Sequence, residues 1–388
     1  LTYLEKTIIS GEIGMTEKKS WVDRLFGLNM WYGMSLGNWV NLLSKHQFTV
    51  DTNLIPRALL TTCQTTLNSA AGFLEKAVYE KEIDKTELVA PPIFILGYWR
   101  TGTTHLHNLL SKDERFTYPT TYTCMFPNHF LLTESIGKKL LSLLIPEKRP
   151  MDKMQLSWES PQEDEVALAL LGGLSPYIDF AFTDSPETHH RFLDFEHTTA
   201  EERELFQQLI AYFVQKHTLR SRKRVLLKSP THTFRIKLLA KAFPEAKFIH
   251  IYRNPVRVFF SAVHTFTILR EQVGLTKPDN SRLEQRIIED MISCYRHVQK
   301  DRALLAPNQF HEIRFENLEK QPLKELESAY QKLDIGGFKA VLPRLEAYLD
   351  SIANYRKNVY AIPLEKKRQL AEKLAPILKT YGYQMESV

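Results

Sequence analysis

The run Gly97-Tyr98-Trp99-Arg100-Thr101-Gly102-Thr103-Thr104 has the glycine spacing of a phosphate-binding loop. Glycines let the backbone turn tightly, so that successive N–H groups point at one anion. A following helix adds the partial positive charge of its N-terminus. Thr103 and Thr104 offer hydroxyl donors, and Arg100 places a cation inside the loop. The loop departs from that of an NTPase, which carries Lys where this chain has Thr103. The apolar segments that follow end at Lys228 and Arg253, not at a metal-holding Asp. The expected ligand is therefore an anion held without an obvious metal. The plainer alternative is an ordinary glycine-containing turn between strand and helix.

A second anion site is expected after Ile251-Tyr252. Arg253 would stand at the carboxyl end of a strand, where open α/β sheets bind ligands. Ser261 follows two helical turns on, and Arg257 lies one turn from it. A guanidinium plus a hydroxyl suits a phosphate group. A salt bridge is the competing role for Arg253.

The elements that must position these residues are readable from hydrophobic pattern. Ile93–Leu96, Val225–Leu227, Phe248–Tyr252 and Phe310–Phe315 read as strands, the first three as buried parallel ones. Helical patterns cover 103–110, 201–217, 233–243, 256–266, 283–305, 323–333 and 363–381, the last interrupted by Pro376. Strands alternating with helices predict a parallel sheet covered on both faces. Residues 1–90 read as a helical N-terminal region, with apolar residues at helical spacing over 55–79, and 91–388 as one α/β domain.

Composition agrees with a globular protein. The chain has 388 residues, and no apolar run approaches the roughly 18–20 residues of a membrane span. The net charge of +6 favours anionic ligands, but the basic residues are spread out, so nucleic acid is not expected as a partner. Cys63, Cys124 and Cys294 form neither a disulfide framework nor a zinc pattern, and no secretory signal is visible, which together suit the cytoplasm.

The two anion sites together resemble those of the sulfotransferases that use 3'-phosphoadenylyl sulfate (PAPS). Arg100-Thr101-Gly102-Thr103-Thr104 is similar to the family's 5'-phosphosulfate loop, with His105 directly after it. Arg253 and Ser261, with Asn254-Pro255 between them, are similar to its 3'-phosphate site. Lys228 in Leu-Leu-Lys-Ser-Pro matches the lysine between those motifs. Phe315-Glu316-Asn317-Leu318 is similar to the Tyr-Glu-Asp-Leu segment near the adenine, and Arg356 and Lys357 to a later basic loop over the 3'-phosphate. The likeness covers about residues 91–320 and is to the broad branch with bacterial and tyrosylprotein-type enzymes. It implies a P-loop-type α/β fold with a helical N-terminal extension. It also implies in-line transfer of a sulfuryl group from PAPS to a hydroxyl, with adenosine 3',5'-bisphosphate as product and no metal. Lys228 would offset charge on the bridging oxygen.

The general base is left open by the resemblance. The cytosolic branch has His two residues after the lysine, where this chain has Pro230. The tyrosylprotein branch has Glu near the position of Pro119–Thr123, where this chain has no carboxylate. The acidic run Glu159-Ser160-Pro161-Gln162-Glu163-Asp164-Glu165 is the leading candidate. Ser160, Pro161 and Glu163 also fit a helix-capping box, so Glu165 is expected to be the freer carboxylate. His105 and His232 compete as bases, each with a structural role as the alternative; His107 and His250 read as structural. Phe126, Phe130, Leu131 and Leu132 suggest an apolar wall for a lipophilic alcohol, sterol or phenol, or simply core. The run 136–144 is a short candidate for lying on a membrane surface. The N-terminal helices would serve as a lid, a homodimer contact or a buttress. The competing functions are a P-loop kinase, which the loop disfavours, and a silent nucleotide-binding protein.

Overall fold

The computed structural model describes residues 29–142, 157–183, 186–353 and 363–384. Arg356 and Lys357 lie outside the described residues.

Two helices, α1 (Leu36–Lys45) and α2 (Ile55–Asp84), precede the sheet. Five parallel strands then alternate with helices: β1 (Ile93–Leu96), α3 (Thr103–Leu110), β2 (Phe116–Thr117), α4 (Thr121–Met125), α5 (Phe130–Leu140), α6 (Asp164–Gly172), α7 (Pro186–Asp194), α8 (Ala200–Ser221), β3 (Arg224–Lys228), α9 (Ile236–Ala242), β4 (Lys247–Tyr252), α10 (Pro255–Val273), α11 (Leu283–Asp301), β5 (Phe310–Arg314), α12 (Phe315–Lys320), α13 (Pro322–Lys332), α14 (Phe338–Ser351), α15 (Leu364–Lys373) and α16 (Ala375–Thr380). Pro376 sits in the first turn of α16 and separates it from α15, as its ring requires.

The strand order is β2-β3-β1-β4-β5. Alternate residues of β1 point to opposite faces, which explains its unbroken apolar run. Ile93 and Ile95 pack with α3, α13 and α14, while Phe94 and Leu96 pack with α6, α8 and α9. The chain leaves β1 toward β2 and β3 but leaves β4 toward β5. The connections therefore diverge between β1 and β4, and a crevice opens there beyond the carboxyl ends. Register aligns the edge of that crevice: Ile95 pairs with Lys228 on one side and Ile249 on the other.

The N-terminal helices join a third apolar cluster, in which Trp31 and Trp39 pack with Tyr98, Trp99, Phe126 and Phe266. Phe126 and Phe130 are core here. The orientation of α2 reverses the expectation from its apolar spacing. Its buried residues are chiefly polar, namely Arg57, Thr61, Thr65, Asn68 and Glu75. Leu59, Leu67, Phe73, Leu74 and Val78 face out.

Candidate functional site

The loop after β1 has the backbone its sequence requires. Gly97 has φ 147°, and a Cβ there would lie 2.5 Å from the Ile251 carbonyl oxygen. Gly102 has φ 106°, and a Cβ there would lie 2.3 Å from the Phe315 ring. Both positions exclude a side chain. Arg100 between them holds φ 70°, a strained value for a non-glycine residue and of the kind that concentrates at ligand sites. The Thr101 hydroxyl donates to the Tyr98 carbonyl at 2.7 Å and is fully buried, so it fixes the loop. Gly102 caps α3 without a capping side chain, which leaves the helix N-terminus facing the crevice with Thr103 and Thr104 in its first turn. His105 stands in the same turn, partly buried.

The second anion site meets the first. Arg100 Nε donates to Ser261 Oγ at 2.9 Å. Asn254 accepts from the Val256 and Arg257 amides, starting α10 so that Ser261 faces the loop. The Arg253 guanidinium lies over the Phe315 ring, 4.2 Å from its centroid. Burial draws Arg253 below its usual pKa; the Glu316 carboxylate opposes this shift, and the neighbouring Arg257 and Arg100 charges add to it. Such a cation cluster calls for an anion.

Lys228 ends β3 almost fully buried, and its Nζ donates to Glu163 Oε1 at 2.8 Å. The other Glu163 oxygen accepts from Tyr177 at 2.5 Å, and Trp99 Nε1 donates to the Tyr177 oxygen at 3.1 Å. Indole N–H only donates, so the Tyr177 proton is directed to Glu163. Burial, then the Glu163 charge, raises the Tyr177 pKa well above its usual value and keeps it a donor.

Two expectations for the acidic run are corrected. Glu163 is the N-cap of α6 but makes no side-chain capping bond, because its carboxylate turns to Lys228 and Tyr177. Glu165 is the more engaged carboxylate. Fully buried, it is bridged by Arg235 at 2.8 and 3.1 Å and accepts from Thr231 at 2.7 Å. Asp164 accepts from the Lys228 amide at 3.0 Å and meets His232 Nε2 at 2.5 Å, sealing that histidine in the core. Three successive carboxylates thus clamp residues 228–235. His250 meets Glu312 at 3.0 Å. His107 is buried in α3, and burial, with the Lys228 charge, holds its pKa well below the usual histidine value. Sequence reading missed Tyr177 and Arg235, and it gave Trp99 and Asp164, quoted within the loop and the acidic run, no separate role; neither Tyr177 nor Arg235 carries a local signal.

A parallel sheet with a phosphate loop after its central strand, a cation cluster across the crevice and a buried lysine at the next strand end define a nucleotide-fold transferase. The chain belongs to the sulfotransferase family, whose model matches residues 91–339. It is 39% identical, over 91% of both chains, to the omega-hydroxy-beta-dihydromenaquinone-9 sulfotransferases Stf3 of Mycobacterium bovis and Mycobacterium tuberculosis. The fold is similar to that of sulfotransferase STF9 from Mycobacterium avium, at 17% identity and a TM-score of 0.66 over 92% of this chain and 98% of that one. It also matches sulfotransferase STF1 from Mycobacterium tuberculosis, at 15% identity and a TM-score of 0.53 over 90% and 94%. The protein is thus a sulfotransferase, and its family implies PAPS as donor. No helix among the described residues is long and apolar enough to cross a membrane.

Proposed function

We propose that this chain moves the sulfuryl group of PAPS to the hydroxyl of a lipophilic alcohol, with Glu163 as base and without a metal. The observation that carries the reading is the Lys228–Glu163 pair at the strand end next to the phosphate loop. The α3 N-terminus, Thr103, Thr104 and Arg100 would hold the 5'-phosphosulfate, while Arg253 and Ser261 would hold the 3'-phosphate. The acceptor oxygen forms its bond to sulfur as the bridging S–O bond breaks. The electron pair leaves on the 5'-phosphate, where the Lys228 ammonium offsets it, and the hydroxyl proton passes to Glu163. Glu165 and His232 have no part in this scheme, since Arg235 and Asp164 engage them.

Support for a lipophilic acceptor comes from the acceptor in the relatives' name. Next to the Tyr177 that holds Glu163 lies a narrow seam whose apolar walls are Trp99, Phe180, Phe266, Leu283 and Ile287, with Arg270, Arg286 and Asp290 also lining it. The outward faces of α2 and α5, with Phe73, Leu74, Ile136 and Leu140 exposed, add apolar surface that an acceptor of this kind would favour.

Thermal unfolding in EDTA tests the donor site. Adenosine 3',5'-bisphosphate at a hundred times its Kd should stabilise the fold by about 2.7 kcal/mol, and Arg253→Ala should abolish the shift. Product formation from PAPS with long-chain alcohols, sterols and phenols then ranks acceptors. A shift with Mg-ATP and none with the bisphosphate would overturn the reading in favour of a kinase.

A further inference from the structure

A second set of side chains, at the junction of α7 and α11, has the composition of a metal centre. Asp194 ends α7, Phe195 turns the chain with φ 62°, and Glu196 follows. The strained turn brings two carboxylates to one side. Asp194 Oδ1 accepts from the Glu196 amide at 2.9 Å, so its conformation is fixed, and Oδ2 lies 3.9 Å from His297 Nε2. Glu196 Oε1 lies 3.4 Å from the same nitrogen. The three ligand atoms are all within 4.8 Å of one another.

The histidine supplies the independent observation. His297 is 7% exposed, and its Nε2 is buried without a hydrogen-bond partner while aimed at the two carboxylates. Its Nδ1 lies 2.9 Å from the Ser293 carbonyl oxygen, which only accepts. In the neutral ring the proton is therefore on Nδ1, and Nε2 presents its lone pair to Asp194 and Glu196. A backbone carbonyl that fixes the tautomer in this way is the usual outer support of a metal-binding histidine. Ligand atoms around a tetrahedral ion with bonds of about 2.0–2.2 Å stand about 3.4 Å apart. The Glu196–His297 separation already has that value, the Asp194–His297 separation exceeds it by about half an ångström, and the two carboxylates, within 4.8 Å of each other, would draw together on the ion. Lys300, whose Nζ reaches Glu196 Oε1 at 3.1 Å, is 62% exposed and can retire to solvent when a stronger cation arrives.

We propose that Asp194, Glu196 and His297 bind one divalent ion of the zinc class, with water in the fourth position. One imidazole with two carboxylates suits such an ion better than magnesium or calcium, which take oxygen ligands. The ion would tie the turn after α7 to α11. That turn bears on the clamp around the Lys228 segment, because the Phe192 and Leu193 carbonyls accept from Arg235, which holds Glu165. The role is structural and separate from sulfuryl transfer.

The test is zinc titration of the full, chelator-stripped chain by calorimetry, with thermal unfolding alongside, in a Cys63→Ser background because Cys63 is an exposed thiol. One equivalent should bind and raise the Tm. His297→Gln and, at a half-exposed position that tolerates change, Glu196→Gln should each weaken binding about tenfold or more. No saturable zinc binding, or equal binding in wild type and Glu196→Gln, would overturn the proposal. Sulfation measured in chelator is an independent readout of the proposed function.

Discussion

Two lysine–glutamate pairs are built into the interior of this protein, and they differ in what surrounds them. Lys216 on α8 meets Glu75 on α2 with both side chains wholly out of solvent. Backbone groups take up remaining capacity: Lys216 donates to the Pro127 carbonyl at 2.6 Å, and Glu75 accepts from the Leu132 amide at 3.1 Å. The ammonium also lies 4.3 Å from the Phe130 ring centroid. Burial pushes the Glu75 carboxyl up and the Lys216 ammonium down, each partly restored by the other. Lys228 meets Glu163 at a strand end beside the phosphate loop, where Glu163 keeps 16% of its side chain accessible and its second oxygen takes a tyrosine hydroxyl. The same chemistry is sealed in one place and left approachable in the other. An ion pair closed by backbone groups fixes a fold, whereas one closed by side chains at a crevice can exchange its partner for a substrate.

The largest expected effect separates the pairs by activity. Glu163→Gln should lower kcat by about 10²–10⁴-fold, the range for loss of a general base, with bisphosphate stabilisation retained. Lys228→Ala should behave alike. Turnover by Glu163→Gln within about threefold of wild type would place the base elsewhere and break the comparison. The buried pair should answer in stability instead. Glu75→Gln leaves the Lys216 charge without its partner and should cost about 3–5 kcal/mol in denaturant unfolding, with turnover per folded molecule unchanged. A loss under about 1 kcal/mol would show that the two pairs do not differ as described.

What was legible in the sequence divides along the same line. Gly97–Thr104, Lys228, Arg253 and Ser261 could be located because each follows or ends a short apolar strand, so pattern and chemistry are contiguous. The capping box at Ser160–Glu163 failed because spacing reports only local partners. Glu163 and Glu165 answer to Lys228 and Arg235, far along the chain and brought close only by the sheet. The helix α2 was legible as a helix but not in its facing, since periodicity does not say which side turns inward, and its inner side is fixed by a polar partner on α8. The strand β2 has two residues and leaves no pattern to read.

A third prediction sharpens the account of the approachable pair. Tyr177→Phe removes the donor to Glu163 but keeps the aromatic packing, and the Trp99 N–H loses its acceptor. The carboxylate loses a bond to its ionised form. The acid limb of the rate profile should move to higher pH, and kcat should fall about tenfold, or about 1.4 kcal/mol. An unchanged profile would make Tyr177 a packing residue only.

The last effect is read in acid and concerns both lysines, because each has buried histidine beside it. Burial, reinforced by Lys228, lowers His107. Burial and Lys216 hold His129 at about 4, and burial, Arg220 and Lys216 lower His217. A histidine whose folded value lies below its unfolded value of 6.5 takes up a proton on unfolding. Its stabilising contribution is full above that pH and declines as the pH falls toward the folded value. Each such histidine adds at most about 1.4 kcal/mol per pH unit to the slope. For His129 the loss should run from pH 6.5 down to about 4 and then level off. Denaturant unfolding between pH 7.5 and pH 4 checks it: His129→Gln, which keeps a polar group facing Thr133 and Asn68, should flatten the slope by no more than one histidine's share. A slope unchanged by that substitution would mean that His129 is protonated alike in both states, and the sealed pair would then not impose on its neighbours the electrostatic cost that distinguishes it here.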